Sequence, residues 1–139
     1  MNKKSLNQGR SVIAITISIA VIALLLRVTI KKVIEIGIQQ NEAGAQTNLK
    51  LISAALENYS NDNKDVYPDN FSLLTDKNYL DINYFKHSPI KGYNYTCLRL
   101  EAAGYNCSAL PSKCNFTGRM TFTVSTGGSF ISEKCDKTE

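Results

Sequence analysis

The spacing of apolar positions changes twice along this chain. Residues 12–26 read VIAITISIAVIALLL, fifteen positions without a charge. After Arg27, the residues Val28, Thr29 and Ile30 prolong the run as far as Lys31 and Lys32. A span of ~20 residues crosses a typical hydrocarbon layer, so residues 11–30 suffice if Arg27 reaches toward the head groups. A core helix is not expected to be apolar on every face in a domain this small. A secretory signal would end at a small-residue cleavage site, whereas this run passes into basic residues and a further helical pattern. The run is therefore expected to be a single-pass membrane anchor.

Next, Ala45, Leu49, Ile52, Leu56 and Tyr59 follow one another at intervals of 4, 3, 4 and 3, which places them on one helical face. No proline stands between Ser11 and Tyr67, and Gly37 and Gly44 are the weak points. The pattern predicts one helix from about Ser11 to about Asn61, on the order of 75 Å long at ~1.5 Å per residue. Its first half is apolar all round and its second half is amphipathic. The polar run 61–65 and Tyr67-Pro68 close it. A short helix over 71–76 is expected to follow, with Asp69 or Asn70 as its cap.

From Gly92 the period becomes two. Strands are expected over 93–100, 105–110, 120–125 and 129–132, with turns at 101–104 and 126–128. The fold class is α+β: a long N-terminal helix packed on a small four-stranded antiparallel sheet.

Composition refines this picture. The chain has 139 residues, room for about one domain, and a net charge of +4. Residues 41–139 carry ten Lys and Arg against eleven Asp and Glu, so the excess lies around the apolar run. A near-neutral domain has no nucleic-acid footprint. Lys3, Lys4 and Arg10 precede the run, while Arg27, Lys31 and Lys32 end it, so the charge bias only slightly favours a cytoplasmic amino terminus. All four cysteines (Cys97, Cys107, Cys114, Cys135) fall in the C-terminal third. Their spacing contains no C-x2-C pair, which suits disulfides in an oxidising compartment better than zinc. They allow three pairings. The domain is thus expected outside the cytoplasm.

No enzyme chemistry is expected. His87 is the sole histidine, between Lys86 and Ser88 in a polar stretch, and a lone histidine does not make a catalytic triad. Asp62, Asp65 and Asp69 lack the spacing and terminal glutamate of a calcium loop and read as a solvated turn. No phosphate-binding glycine motif is present, and no metal or cofactor is anticipated.

A long N-terminal helix, Tyr-Pro and then a small antiparallel sheet resemble the layout of type IV pilins and type II secretion pseudopilins. The resemblance is carried by NEAGAQTNLKLISAALENYSNDNKDVYPDNFSLLT (41–75), GYNYTC (92–97) and GRMTFTVSTGGSF (118–130). It implies a basic leader over 1–9, cleaved after Gly9 by a prepilin peptidase, a transmembrane helical half over 10–32 and a head over 33–139. It further implies anchorage in a bacterial inner membrane and filament assembly with related pilin subunits through the N-terminal helix. At the amino terminus the chain departs from the family. Arg10 stands in place of phenylalanine, Ala14 in place of the glutamate that pairs with a neighbour's new amino terminus, and Lys31 where a proline is common. An unpaired buried charge costs several kcal/mol, so Ala14 points to a minor or tip subunit, or to a tethered binding module outside the filament. For the cysteines the resemblance implies Cys97–Cys114, leaving Cys107 with Cys135.

Overall fold

The computed structural model describes residues 3–136, with side chains from Val12 onward. Helix α1 runs Lys3–Asp62, followed by α2 (Ser72–Asp76), β1 (Tyr93–Glu101), β2 (Gly104–Pro111), β3 (Met120–Ser125) and β4 (Ser129–Lys134). The strands form one antiparallel sheet in the order β1-β2-β3-β4. This is the α+β fold that the periodicities predict. The chain divides into two packed units, Met1–Ile36 and Gly37–Glu139.

In the first unit α1 has no polar face to offer water between residues 12 and 26. Every large apolar side chain from residue 12 to residue 36 is exposed, from Ile34 at 38% to Leu24 at 65%. The hydroxyls of Thr16, Ser18 and Thr29 bond back to carbonyls one turn earlier, with Thr29 Oγ1 donating to Leu25 O at 2.7 Å. Their polarity is thereby spent within the helix. By length and composition, α1 can cross a membrane.

In the second unit the same helix has a buried stripe. Ala45, Leu49, Ile52, Leu56 and Tyr59 are all buried, and Ala55 widens the stripe. Against them lie Tyr93 and Tyr95 of β1, Tyr105, Cys107 and Ala109 of β2, and Phe122 and Val124 of β3. These residues alternate along each strand, so one face of the sheet is aromatic and the other carries Ser, Thr and Asn. Burying each of Leu49, Ile52, Leu56, Phe122 and Val124 contributes about 1.5–3 kcal/mol. Phe71, Leu74, Leu80 and Tyr84, from the segment between helix and sheet, complete the core. Phe71, and neither Asp69 nor Asn70, stands at the cap position of the short helix, while Asn70 Oδ1 accepts from Ser72 N at 2.9 Å. Helix α2 begins at Ser72, one residue later than expected.

The β3–β4 hairpin turns on Thr126–Gly128, where Gly127 and Gly128 take φ of 79° and 72°. That left-handed region favours glycine. The last strand continues two residues beyond the expected Ser132, to Lys134.

The disulfides correct the expected pairing. The bonds are Cys97–Cys107 and Cys114–Cys135, in place of Cys97–Cys114 and Cys107–Cys135. Register is the physical reason. Next to the β1–β2 turn the partners are Glu101↔Gly104, Leu100↔Tyr105 and Arg99↔Asn106. Continued unbroken, that register would set Cys97 against Ser108. A bulge at Leu98 removes one step, so Cys97 faces Cys107 directly with 3.9 Å between Cα atoms. Cys114 lies in the β2–β3 loop, beside the start of β3. There Cys135, just past β4, donates its amide to Arg119 O at 2.9 Å.

Candidate functional site

The residues singled out in the sequence fall at separate places. The side chains of Gly9 and Arg10, at the expected leader junction, lie outside the described residues. Ala14 is exposed within the apolar part of α1, and its carbonyl accepts from Ser18 Oγ at 2.9 Å. All four cysteines are bridged, and no free cysteine exists among the described residues. His87 is exposed in the loop before β1. Asp62 accepts from Tyr79 Oη at 2.6 Å and so fastens the segment after α2 to the end of α1. Among the described residues no group of three His, Cys, Asp or Glu side chains converges as a metal site would.

Two features can do something outside the chain's own packing. One is the apolar surface of residues 12–36, which is exposed and broken by Arg27, Lys31, Lys32 and Glu35. By length and composition that stretch is apolar enough to cross a membrane. The other is the set of head surfaces held in place by polar pins between α1 and the sheet.

The pins sit beside the buried stripe. Asn41 Nδ2 donates to Thr117 O at 2.9 Å, and Glu42 Oε1 accepts from Arg119 N at 2.6 Å. Together they hold the disulfide-closed loop before β3. Gly118 permits this closure, because a Cβ there would enter the ring of Tyr93. Tyr93 Oη in turn donates to Met120 O at 2.7 Å. Asn48 Nδ2 donates to Tyr95 Oη at 2.9 Å.

Glu57 is the busiest of these side chains. Its Oε2 accepts from Tyr67 Oη at 2.9 Å, and its Oε1 accepts from Tyr105 Oη and from Gly127 N, both at 2.8 Å. One carboxylate thus fastens the chain after α1, strand β2 and the β3–β4 turn to the helix. Ser53 Oγ lies 2.8 Å from Tyr105 Oη.

Burial pushes the Tyr105 phenol up to about 12; Ser53 opposes the rise, and the Glu57 carboxylate adds to it. The Tyr93 phenol is pushed upward by burial first and by the Glu42 carboxylate second. Tyr67 is raised by burial and by its bond to Glu57. These are the shifts of packed structural phenols, kept neutral at any physiological pH.

The apolar periodicity of α1 gives no indication of this role for Glu57. A usable signal was present. Ser53 and Glu57 stand at i and i+4, flanking the stripe beside Leu56. The Leu98 bulge had no comparable signal.

Near the Cys114–Cys135 bridge is an open hollow lined by Asn115, Arg119, Met120, Lys134, Cys135 and Asp136. It mixes cationic and anionic side chains, so it selects no sign of charge.

No known family model matches this chain, and no curated protein matches it.

Proposed function

We propose that this chain is a pilin-like or pseudopilin-like structural subunit of a type IV pilus or type II secretion type filament, in a minor or tip position. Its apolar helix is held in a bacterial cytoplasmic membrane, with the amino terminus cytoplasmic and the head periplasmic or extracellular. The mechanism is assembly, with helix packing on helix while the heads tile the outside. The machinery it meets is a prepilin peptidase acting after Gly9 and the filament assembly apparatus.

One observation carries this reading. Residues 12–26 of α1 are uncharged and exposed all round, while residues 45–59 of the same helix form the spine of a disulfide-braced antiparallel sheet. A soluble binding protein or enzyme has no use for the first part. The two bridges suit an oxidising compartment.

A second reading, a membrane-tethered extracytoplasmic binding module that never enters a filament, is favoured by Ala14. That residue offers no carboxylate to a neighbour's amino terminus.

Intact-mass and N-terminal analysis of the protein, recovered from membranes and from sheared surface filaments, separates the two. The filament reading predicts a product beginning at Arg10 in both fractions. An unprocessed Met1 form confined to membranes would overturn it in favour of the tethered module.

A further inference from the structure

The charges of the head are sorted along α1. Around its C-terminal end stand Glu57, Asp62, Asp65, Asp69, Asp76 and Glu101, against Lys64, Lys77 and Arg99. Contacts gather these segments there: Tyr67 N donates to Ala102 O, Asp65 N donates to Ser60 O, and the Lys77 ammonium lies 4.9 Å from the centre of the Tyr59 ring. At the other end, where α1 enters the head at Gly37, the balance reverses. There Lys91, Lys113, Arg119 and Lys134 outnumber Glu42, Glu133 and Asp136. Lys31 and Lys32 precede them in the chain, against Glu35.

Two loops form that end. Residues 88–92 and 112–119 meet where Ser112 N donates to Gly92 O at 2.9 Å. Gly92 lets them close, since a Cβ there would strike the Thr117 side chain. Lys91 runs beside Gly44 of α1. The second loop is the one pinned by Asn41 and Glu42 and closed by Cys114–Cys135. Its tip presents Phe116, 61% exposed, on a turn where Phe116 N and Thr117 N both donate to Lys113 O. So braced, the loop holds the ring out to solvent.

We propose that these two loops dock on an anionic bilayer surface, with Lys91 and Lys113 meeting lipid phosphates and the Phe116 ring entering the head-group layer. The proposal rests on residues 12–30 being a membrane anchor and gives the head a second, peripheral contact with the same membrane. Connectivity keeps that surface within reach. Residues 31–36 alone separate Ile30 from Gly37, about 10 Å of helix. A tilt of about 20°, ordinary for a membrane helix, lowers a loop beside the helix toward the head groups. Each cation near such a surface strengthens attachment about fivefold, and the ring adds apolar contact at the acyl boundary. The carboxylates at the far end are repelled by the same surface, so the head settles with its basic end down.

The test uses the full chain, which holds no tryptophan, in vesicles of brominated phosphatidylcholine, alone or mixed with phosphatidylglycerol. Phe116→Trp reports on the docked end. Val66→Trp, at an exposed position of the far end, serves as the reference. In mixed vesicles the indole at position 116 should be quenched and the one at position 66 should stay bright. Adding Lys91→Gln or Lys113→Gln should lower the docked-to-free ratio about fivefold, and added salt should lower it further. In the unsubstituted chain, amide hydrogen exchange over 113–118 should slow about fivefold in mixed vesicles relative to phosphatidylcholine alone. Position 116 as bright as position 66, with the chain retained in the membrane, would overturn the inference and leave the anchor reading standing. Equal quenching in both lipids, or unchanged exchange, would do the same. Release of the unsubstituted chain by alkaline carbonate would overturn both.

Discussion

Residues 12–36 and residues 37–62 lie in the same helix, α1, and draw on the same apolar residue types, yet they meet opposite fates. In the first stretch every large apolar side chain is exposed. In the second, Leu49, Ile52 and Leu56 are fully buried, while Leu51, one position off the stripe, is 49% exposed. The difference lies in the arrangement of the polar residues. Between residues 12 and 26 polarity is limited to hydroxyls satisfied within the helix. Beyond residue 40 polar side chains return at helical spacing and leave a single apolar stripe. A stripe can be covered by one sheet; a cylinder must be covered by lipid or by several helices.

That contrast predicts where substitutions act. Leu56→Ala removes side-chain volume from the covered stripe and should lower head stability by about 2–5 kcal/mol. Leu25→Ala removes the same atoms from an uncovered surface and should leave the head's melting transition unchanged. Denaturant titration of both variants in detergent checks this. Equal losses would erase the distinction.

Removing the second bridge with Cys114→Ser and Cys135→Ser frees a segment closed over a separation of 21 residues, and should cost about 3 kcal/mol. The same titration, run with the bridge intact and absent, measures it.

The cost of Glu57→Gln is next in size. Three donors converge on that carboxylate, so the variant should lose about 1–3 kcal/mol, chiefly by loosening the β3–β4 turn. Hydrogen exchange at the Gly127 amide should rise with it.

The phenols give a pH dependence. Burial holds the Tyr105 phenol up at about 12, above the 10.0 of an ordinary tyrosine, and Tyr93 is raised in the same direction. The folded state therefore holds its phenolic protons more tightly than the unfolded chain does. This stability is fully present below about pH 10 and is lost as pH rises toward 12 and beyond. Thermal melts at rising pH, followed by phenolate absorbance, should show tyrosine ionisation and unfolding together. Ionisation near pH 10 with the head still folded would contradict the buried placement of these side chains.

The smallest effect is expected at Leu98. The bulge leaves it 86% exposed, so Leu98→Ser should shift stability by less than about 0.5 kcal/mol.

The sequence made the repeating parts of this structure legible. The 4-3-4-3 spacing picked out the five stripe residues of α1, and alternation located all four strands, because burial on one face imposes a period that composition must follow. What it hid were the places where a period is broken. Leu98 and Leu100 are both apolar, so nothing in the alternation signals a one-residue bulge between Cys97 and Arg99, and the disulfide pairing depends on that bulge. The pins of Asn41, Glu42 and Glu57 depend on which loop returns to which turn of the helix. No local pattern encodes that.

The account's central claim is that one helix serves two solvents, and spin labelling along α1 in bilayers tests it most directly. Single labels are placed at successive positions over 13–26 and at exposed positions over 39–58, and their collisions with dissolved oxygen and with a water-soluble nickel chelate are compared. The account predicts that labels over 13–26 meet oxygen and are shielded from the chelate on every face, while labels over 39–58 meet the chelate. Access of the chelate to any face of residues 13–26 would contradict it.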